Sequence, residues 1–300
     1  GGGGGGVGAP PTHPPPRGGG WTEPVLRTAA GAGGERARPP ILVAGAIGRT
    51  AQAVAEARVA RSLGYHAVLL SLAAWKGASD DEMIAHCEAV AAEMPLFGFY
   101  LQPAVGGVRL SASFWRRFAA IGNVAAIKIA PFNRYATLDV LRGVLEAGAQ
   151  DRVALYTGND DHIVADLLTP FTLSHQGRAV TLRIVGGLLG HWSVWTRAAV
   201  ELQRRCAAVT GDIPAELLAL DAAVTEMNAA VFDVAHDFHG VIAGCHEVLR
   251  RQGLLEGTWC LDEHEALSPG QAELLTAVAE RYPHLTDDAF VRDNLHRWLS

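Results

Sequence analysis

The sequence predicts an α/β fold of the (β/α)8 TIM-barrel type with a helical extension at its C-terminal end. Three observations carry that reading. Short apolar runs alternate with helical patterns of roughly ten to fifteen residues from Ile41 to Val209, the rhythm of βα units around a parallel sheet. Those runs are apolar at both parities, as strands covered on both faces must be. From Ile213 onward every periodic segment is helical.

The elements follow in order. Ile41 to Ala46 is the first strand, and Thr50 caps a helix over Ala51 to Leu63 that stops at Gly64. His66 to Leu72 is the second strand. Ser79 and Glu82 form a capping box for a helix running to about Glu93. Strands are expected at Pro95 to Leu101, Asn123 to Ile129, Arg152 to Thr157 and Thr181 to Val185. Helices are expected between them at Ser113 to Ile121, Thr137 to Ala147 and Asp161 to Leu168, and after them from Gly190 to about Val209. The tail reads as helices over Ala215 to Val234, Val241 to Gly253, Pro269 to Tyr282 and Asp287 to Leu299. Six strands result, two fewer than a closed barrel has.

Residues 1–20 are almost entirely Gly, Pro and small or polar side chains, which bury too little apolar surface to fold. Trp21 to Ala30 carries a short helical pattern, and order is expected from Pro39. The expected division is a low-complexity segment over 1–38, a barrel portion over 39–210 and a helical region over 211–300.

Lys and Arg number 25 against 31 Asp and Glu, a formal charge of −6 without long runs of either sign. Nucleic acid and anionic membrane both need a concentrated basic face, so neither is an expected partner. No apolar run is long enough to span a membrane, and no signal-peptide pattern opens the chain. The four cysteines contain no C-x-x-C pair, which fits a reduced, cytoplasmic protein.

The chemistry centres on Lys128. Alternation puts Val124, Ala126 and Lys128 on one face of their strand and Ala125, Ile127 and Ile129 on the other. The second set suits packing against helices, so Lys128 is expected inside, at the strand's C-terminal end, where barrel active sites lie. Burial there disfavours the ammonium and yields a nucleophilic amine near neutral pH. The same argument applied to Leu96, Gly98 and Tyr100 places Tyr100 inside on the preceding strand, with Gly98 beneath it leaving room for a substrate. A phenol at that point would relay the protons of imine formation.

Other residues rank lower. Asn133 and Arg134 follow the Lys128 strand, and Arg134 is a candidate to grip a substrate carboxylate. The run Asn159-Asp160-Asp161-His162 reads first as helix capping. The turn from Gly186 and Gly187 to His191 and Trp192 offers backbone N–H groups to an anion. His236, His239, His246 and Cys245 are too widely spaced along the tail for one ion, so no metal site is expected. Gly45-Ala46-Ile47-Gly48 lacks the third glycine of a dinucleotide fingerprint.

The segment FGFYLQP (Phe97 to Pro103), with the Lys of AAIKIA 28 residues after its Tyr, resembles the dihydrodipicolinate synthase and N-acetylneuraminate lyase superfamily. The family has a Tyr in a Y-x-x-P segment and a Lys in a G-I-K-x-A segment, which here read Tyr100-Leu101-Gln102-Pro103 and Ala126-Ile127-Lys128-Ile129-Ala130, and the similarity runs from residue 40 to about 255. LYTGNDD resembles the family's Gly-Asp strand end. The resemblance implies a barrel enzyme of the class I aldolase type acting on pyruvate or another 2-keto acid, with Lys128 forming the Schiff base and Tyr100 relaying protons. It places Gly158 and Gly186 at the rim near the keto-acid carboxylate, with the Gly187 backbone beside them. It implies a dimer or tetramer and no cofactor, since the imine is itself the electron sink. Where the family has its first two strands and the G-T-T-G-E loop, this chain is rich in Gly and Pro. The synthase's arginine after the Y-x-x-P segment is replaced by Ala104-Val105-Gly106, and near its second tyrosine only Trp75 is close. A lyase or dehydratase outside lysine biosynthesis is therefore expected. The alternative is a non-catalytic, ligand-binding barrel.

Overall fold

The computed structural model describes residues 26–27, 40–262 and 264–299. The expected low-complexity segment lies outside them, as does the Trp21 to Ala30 pattern apart from helical Leu26 and Arg27. The chain divides into two compact units at Phe97 and Gly98.

The first unit holds β1 (Val43–Ala46), α1 (Thr50–Ser62), β2 (Ala67–Leu70), α2 (Asp80–Ala91) and the opening of β3 (Leu96–Leu101). β1 and β2 pair in parallel, Val43 opposite Ala67. The capping box forms as expected: the Ser79 hydroxyl accepts from the Glu82 N–H, and the Glu82 carboxylate accepts from the Ser79 N–H at 2.9 Å. Thr50 does not cap α1. Arg49 holds that position, and the Thr50 hydroxyl instead meets His86 Nδ1 at 3.0 Å, tying α1 to α2.

The second unit continues β3 into α3 (Ala112–Ala120), β4 (Val124–Ala130), α4 (Arg134–Glu146), β5 (Ala154–Thr157) and α5 (Ile163–Leu168). Next come β6 (Phe171–His175), β7 (Arg178–Leu182) and β8 (Gly186–Gly187). The main sheet has six strands in the order β1-β2-β3-β4-β5-β8, with β4 parallel to β5 and β5 parallel to β8. The expected last strand, Thr181 to Val185, is displaced. Thr181 and Leu182 end β7, which pairs antiparallel with β6 in a separate hairpin, and the parallel strand is only Gly186–Gly187. The cause is the two-residue turn at Gln176 (φ 49°) and Gly177 (φ 73°), whose paired positive φ angles match the twist of a tight hairpin.

Five further helices follow: α6 (Thr196–Ala207), α7 (Ala215–Val231), α8 (Val241–Arg251), α9 (Gln271–Arg281) and α10 (Asp288–Trp298). All five belong to the same compact unit as β4, β5 and β8. Met227, Val231, Val248, Leu275 and Val278 form the core shared by α7, α8 and α9. Gln271 is fully buried, and its amide donates to the carbonyls of Ala230 and Val231 at the end of α7, each at 3.3 Å, and to that of Gly240, which precedes α8, at 3.0 Å. Among the described residues no helix is long and apolar enough to cross a membrane.

Candidate active site

β4 is built as its alternation requires. Ile127 and Ile129 are fully buried, and Lys128 lies on the opposite face. Its Nζ sits 4.5 Å from the centre of the Phe99 ring, a cation–π distance. Its stem runs against Gly158, where a Cβ would stand 2.7 Å from Lys128 Cε and 2.7 Å from Ala130 Cβ. Only a glycine at 158 leaves that path open. Parallel pairing sets Tyr156 of β5 beside Lys128 and Gly186 of β8 beside Tyr156, so these three positions share a face. A Cβ on Gly186 would meet the Tyr156 ring at 3.0 Å, and one on Gly187 would meet Leu189 and Trp192.

Burial lowers the Lys128 pKa, and the nearby Asp160 carboxylate opposes that shift. Asp160 follows the end of β5 and is 5% exposed. Its Oδ1 accepts from the His191 N–H at 3.2 Å and from Asn228 Nδ2 at 3.5 Å. Burial pushes its carboxyl up to about 7, against the pull of the His191 N–H and of Lys128. His191 is buried too, held neutral by burial with a pKa of about 4, and its Nδ1 has no hydrogen-bond partner among the described residues.

Tyr100 is not beside Lys128. Gly98 faces α3, since a Cβ there would meet the Phe118 ring at 2.7 Å. Tyr100 shares its parity: its ring lies 5.3 Å from Trp115 of α3, and its hydroxyl donates to the Leu110 carbonyl at 3.2 Å. The parity of β3 is thus the reverse of that expected. Phe99 is the aromatic facing Lys128, the room expected beneath Tyr100 is filled by Phe118, and the phenol belongs to the helix layer.

Asn133 and Arg134 are also engaged elsewhere. Asn133 caps α4, its side chain accepting from the Ala136 N–H at 3.1 Å. Arg134 pairs with the fully buried Asp166 at 2.6 Å and lies over the Phe171 ring. The run 159–162 is not a cap. His162 holds the N-cap position of α5 without a side-chain cap bond, while Asn159 joins the Asp166 cluster and Asp160 is held by the His191 N–H and Asn228. Its place just after a parallel strand's C-terminal end was the available signal. The backbone from Leu188 to Trp192 is largely used: Leu188 N–H donates to Thr157, His191 N–H to Asp160 and Trp192 N–H to Leu189. His236 binds Asp233 at 2.6 Å, and no metal-holding cluster occurs among the described residues.

No family model and no curated protein matches the sequence. Solved structures do match in fold. Dihydrodipicolinate synthase from Acinetobacter baumannii, complexed with pyruvate, superposes with a TM-score of 0.68 at 19% identity, covering 87% of this chain and 80% of that one. The synthase from Bacteroides thetaiotaomicron gives 0.68 at 14% identity, with the same two coverages of 87% and 80%. A prophage protein of the dihydrodipicolinic acid synthase family from E. coli K12, in complex with pyruvate, gives 0.66 at 16%, again covering 87% and 80%. The chain therefore has the α/β barrel-type fold of the dihydrodipicolinate synthases.

Proposed function

We propose that the protein is a Schiff-base-forming lyase, an aldolase or dehydratase acting on pyruvate or another 2-keto acid through Lys128. The observation that carries this reading is the half-buried amine at the C-terminal end of β4, packed on Phe99 and given its path by Gly158. A lowered amine pKa leaves more of the neutral nucleophile at neutral pH. The fold likeness to proteins solved with pyruvate supports the same substrate class. The backbone at Gly186 and Gly187, beside Tyr156 on Lys128's face, is where the keto-acid carboxylate would lie. The iminium serves as the electron sink, so the reaction calls on no organic cofactor.

Reduction with borohydride in the presence of pyruvate tests the reading. A stable adduct on the peptide containing Lys128 is expected, absent from Lys128→Ala. A folded protein that traps no 2-keto acid would leave only the second reading, a non-catalytic ligand-binding barrel, which the turning of Tyr100 away from the amine favours.

A further inference from the structure

We infer that Asp160 is the acid–base catalyst paired with Lys128, acting where Tyr100 was expected to act; the inference rests on Lys128 forming the imine. With Tyr100 in the helix layer, Lys128's face has lost the relay the resemblance implied. The aromatic in its place, Phe99, carries no proton. Asp160 stands two residues after Gly158, against which the Lys128 stem packs, just past the end of the strand that pairs with β4; it is buried, and its charge and that of Lys128 act on each other. Its fixing contacts both go to Oδ1, from the His191 N–H and from Asn228. No described contact occupies Oδ2.

The other groups set around the carboxyl are few. Asp161 is its chain neighbour and disfavours a second negative charge, Asn228 on α7 is neutral, and the Cys245 thiol on α8 is held protonated by burial, with a pKa up at about 11. The His191 ring on the turn after β8 is neutral at working pH. Lys128 is thus the cation set against Asp160 among the described residues. A carboxyl that burial holds up near 7 can give a proton in one half of the chemistry and take one back in the other.

The steps balance on that proton. The neutral Lys128 amine attacks the keto carbon, forming the Nζ–C2 bond. The C2–O bond breaks and the oxygen leaves as water, with one hydrogen from the amine and one from the Asp160 carboxyl. An iminium cation then faces an Asp160 carboxylate. The carboxylate takes a proton from C3, the C3–H electron pair forms the C2–C3 double bond of the enamine, and the iminium π pair returns to nitrogen. A hydroxyl relay is not required.

Exchange of the pyruvate methyl hydrogens in D2O, followed by proton NMR, isolates the C3 step. Asp160→Asn keeps an acceptor oxygen for His191 and Asn228, and circular dichroism checks that it folds. Its exchange rate is expected to fall by about 10²- to 10⁴-fold, the usual worth of a positioned acid–base group. Borohydride should still trap the Lys128 adduct on long incubation. Asp160→Glu should recover part of the exchange, and the wild-type rate should change with pH around 7, where the carboxyl titrates, a dependence absent from Asp160→Asn. Wild-type exchange in Asp160→Asn overturns the inference and leaves the imine reading standing. Loss of exchange in Tyr156→Phe with Asp160→Asn unaffected would assign the step to the phenol instead. Absence of any adduct in the wild type overturns both readings together.

Discussion

A methyl group on Gly158 would have to share space with Lys128 Cε and Ala130 Cβ, each 2.7 Å away. The lysine stem is flexible and the alanine is not, so Gly158→Ala displaces the amine more than it disturbs the fold. We expect a loss of about 1–3 kcal/mol in urea unfolding, the usual range for an added methyl in a packed site. Adduct formation at Lys128 should slow by about tenfold, a one-ångström misplacement being enough for that. An unchanged trapping rate would show that the path along Gly158 is not what positions the amine. This face of β4 was legible in the sequence because its two parities differ chemically: Ile127 and Ile129 against Lys128. β3 offered no such contrast. Phe97 and Phe99 on one parity and Leu96, Gly98 and Tyr100 on the other are all compatible with a core, and only the packing of Phe118 into the space at Gly98 decides between them. Asp160 was passed over for a related reason. An Asp shortly before a helix is usually a cap, and only the three-dimensional position of Lys128 reveals its other use.

At the scale of elements, the join between β5, α5 and α4 is polar and closed. The Asp166 carboxylate, fully buried on α5, accepts from the Thr157 hydroxyl at 2.6 Å, from Asn159 Nδ2 at 3.0 Å and from Arg134 at 2.6 Å. Asn159 in turn accepts the Phe132 N–H at 3.0 Å, holding the loop after β4 in which Phe132 takes a left-handed φ of 50°. This cluster braces the two strand ends that carry Lys128 and Asp160. Arg134→Ala removes one of three donors from a buried carboxylate, and with the guanidinium about a third exposed the cost should be about 1–3 kcal/mol in denaturant unfolding. Pyruvate concentration dependence of trapping should stay as in the wild type. If Arg134 gripped the substrate carboxylate, half-saturation would rise while stability held, the reverse pattern. The βα alternation that made these elements legible is a property of each segment alone. The β6–β7 hairpin escaped because Gln176-Gly177 is a weaker turn signal than Asn-Gly, and because a two-residue strand such as β8 has no periodicity to read.

For the whole molecule, buried titratable groups set the response to acid, and they act with opposite signs. His86, in the first unit, is 2% exposed; burial, then the Arg49 charge, lowers its pKa to about 4, and Nε2 has no hydrogen-bond partner among the described residues. His191, in the second unit, is lowered to about 4 by burial. For both, the unfolded chain takes up a proton near pH 6.5 that the folded chain refuses until about pH 4, so stability falls as pH drops through that window. Each contributes on the order of 3 kcal/mol at most across it. Asp160 works the other way. Its folded pKa of about 7 lies above the ordinary carboxylate value of 3.8, so the strain of its buried charge is relieved as pH falls from about 7 towards 4. Glu247, held near 2 chiefly by Arg250, adds to the fall only at the foot of this window, where the unfolded carboxylate begins to protonate around 4.5. In the second unit His191 and Asp160 therefore oppose each other, while in the first His86 has no such counterweight among the shifts described here. Melting temperature measured from pH 6.5 to 4.5 should fall in the wild type, fall less in His86→Gln, and fall more steeply in Asp160→Asn, which loses the compensating proton. Parallel slopes in all three proteins would mean that burial does not hold these groups away from their ordinary pKa values, and the acid–base role of Asp160 beside Lys128 would lose its electrostatic basis.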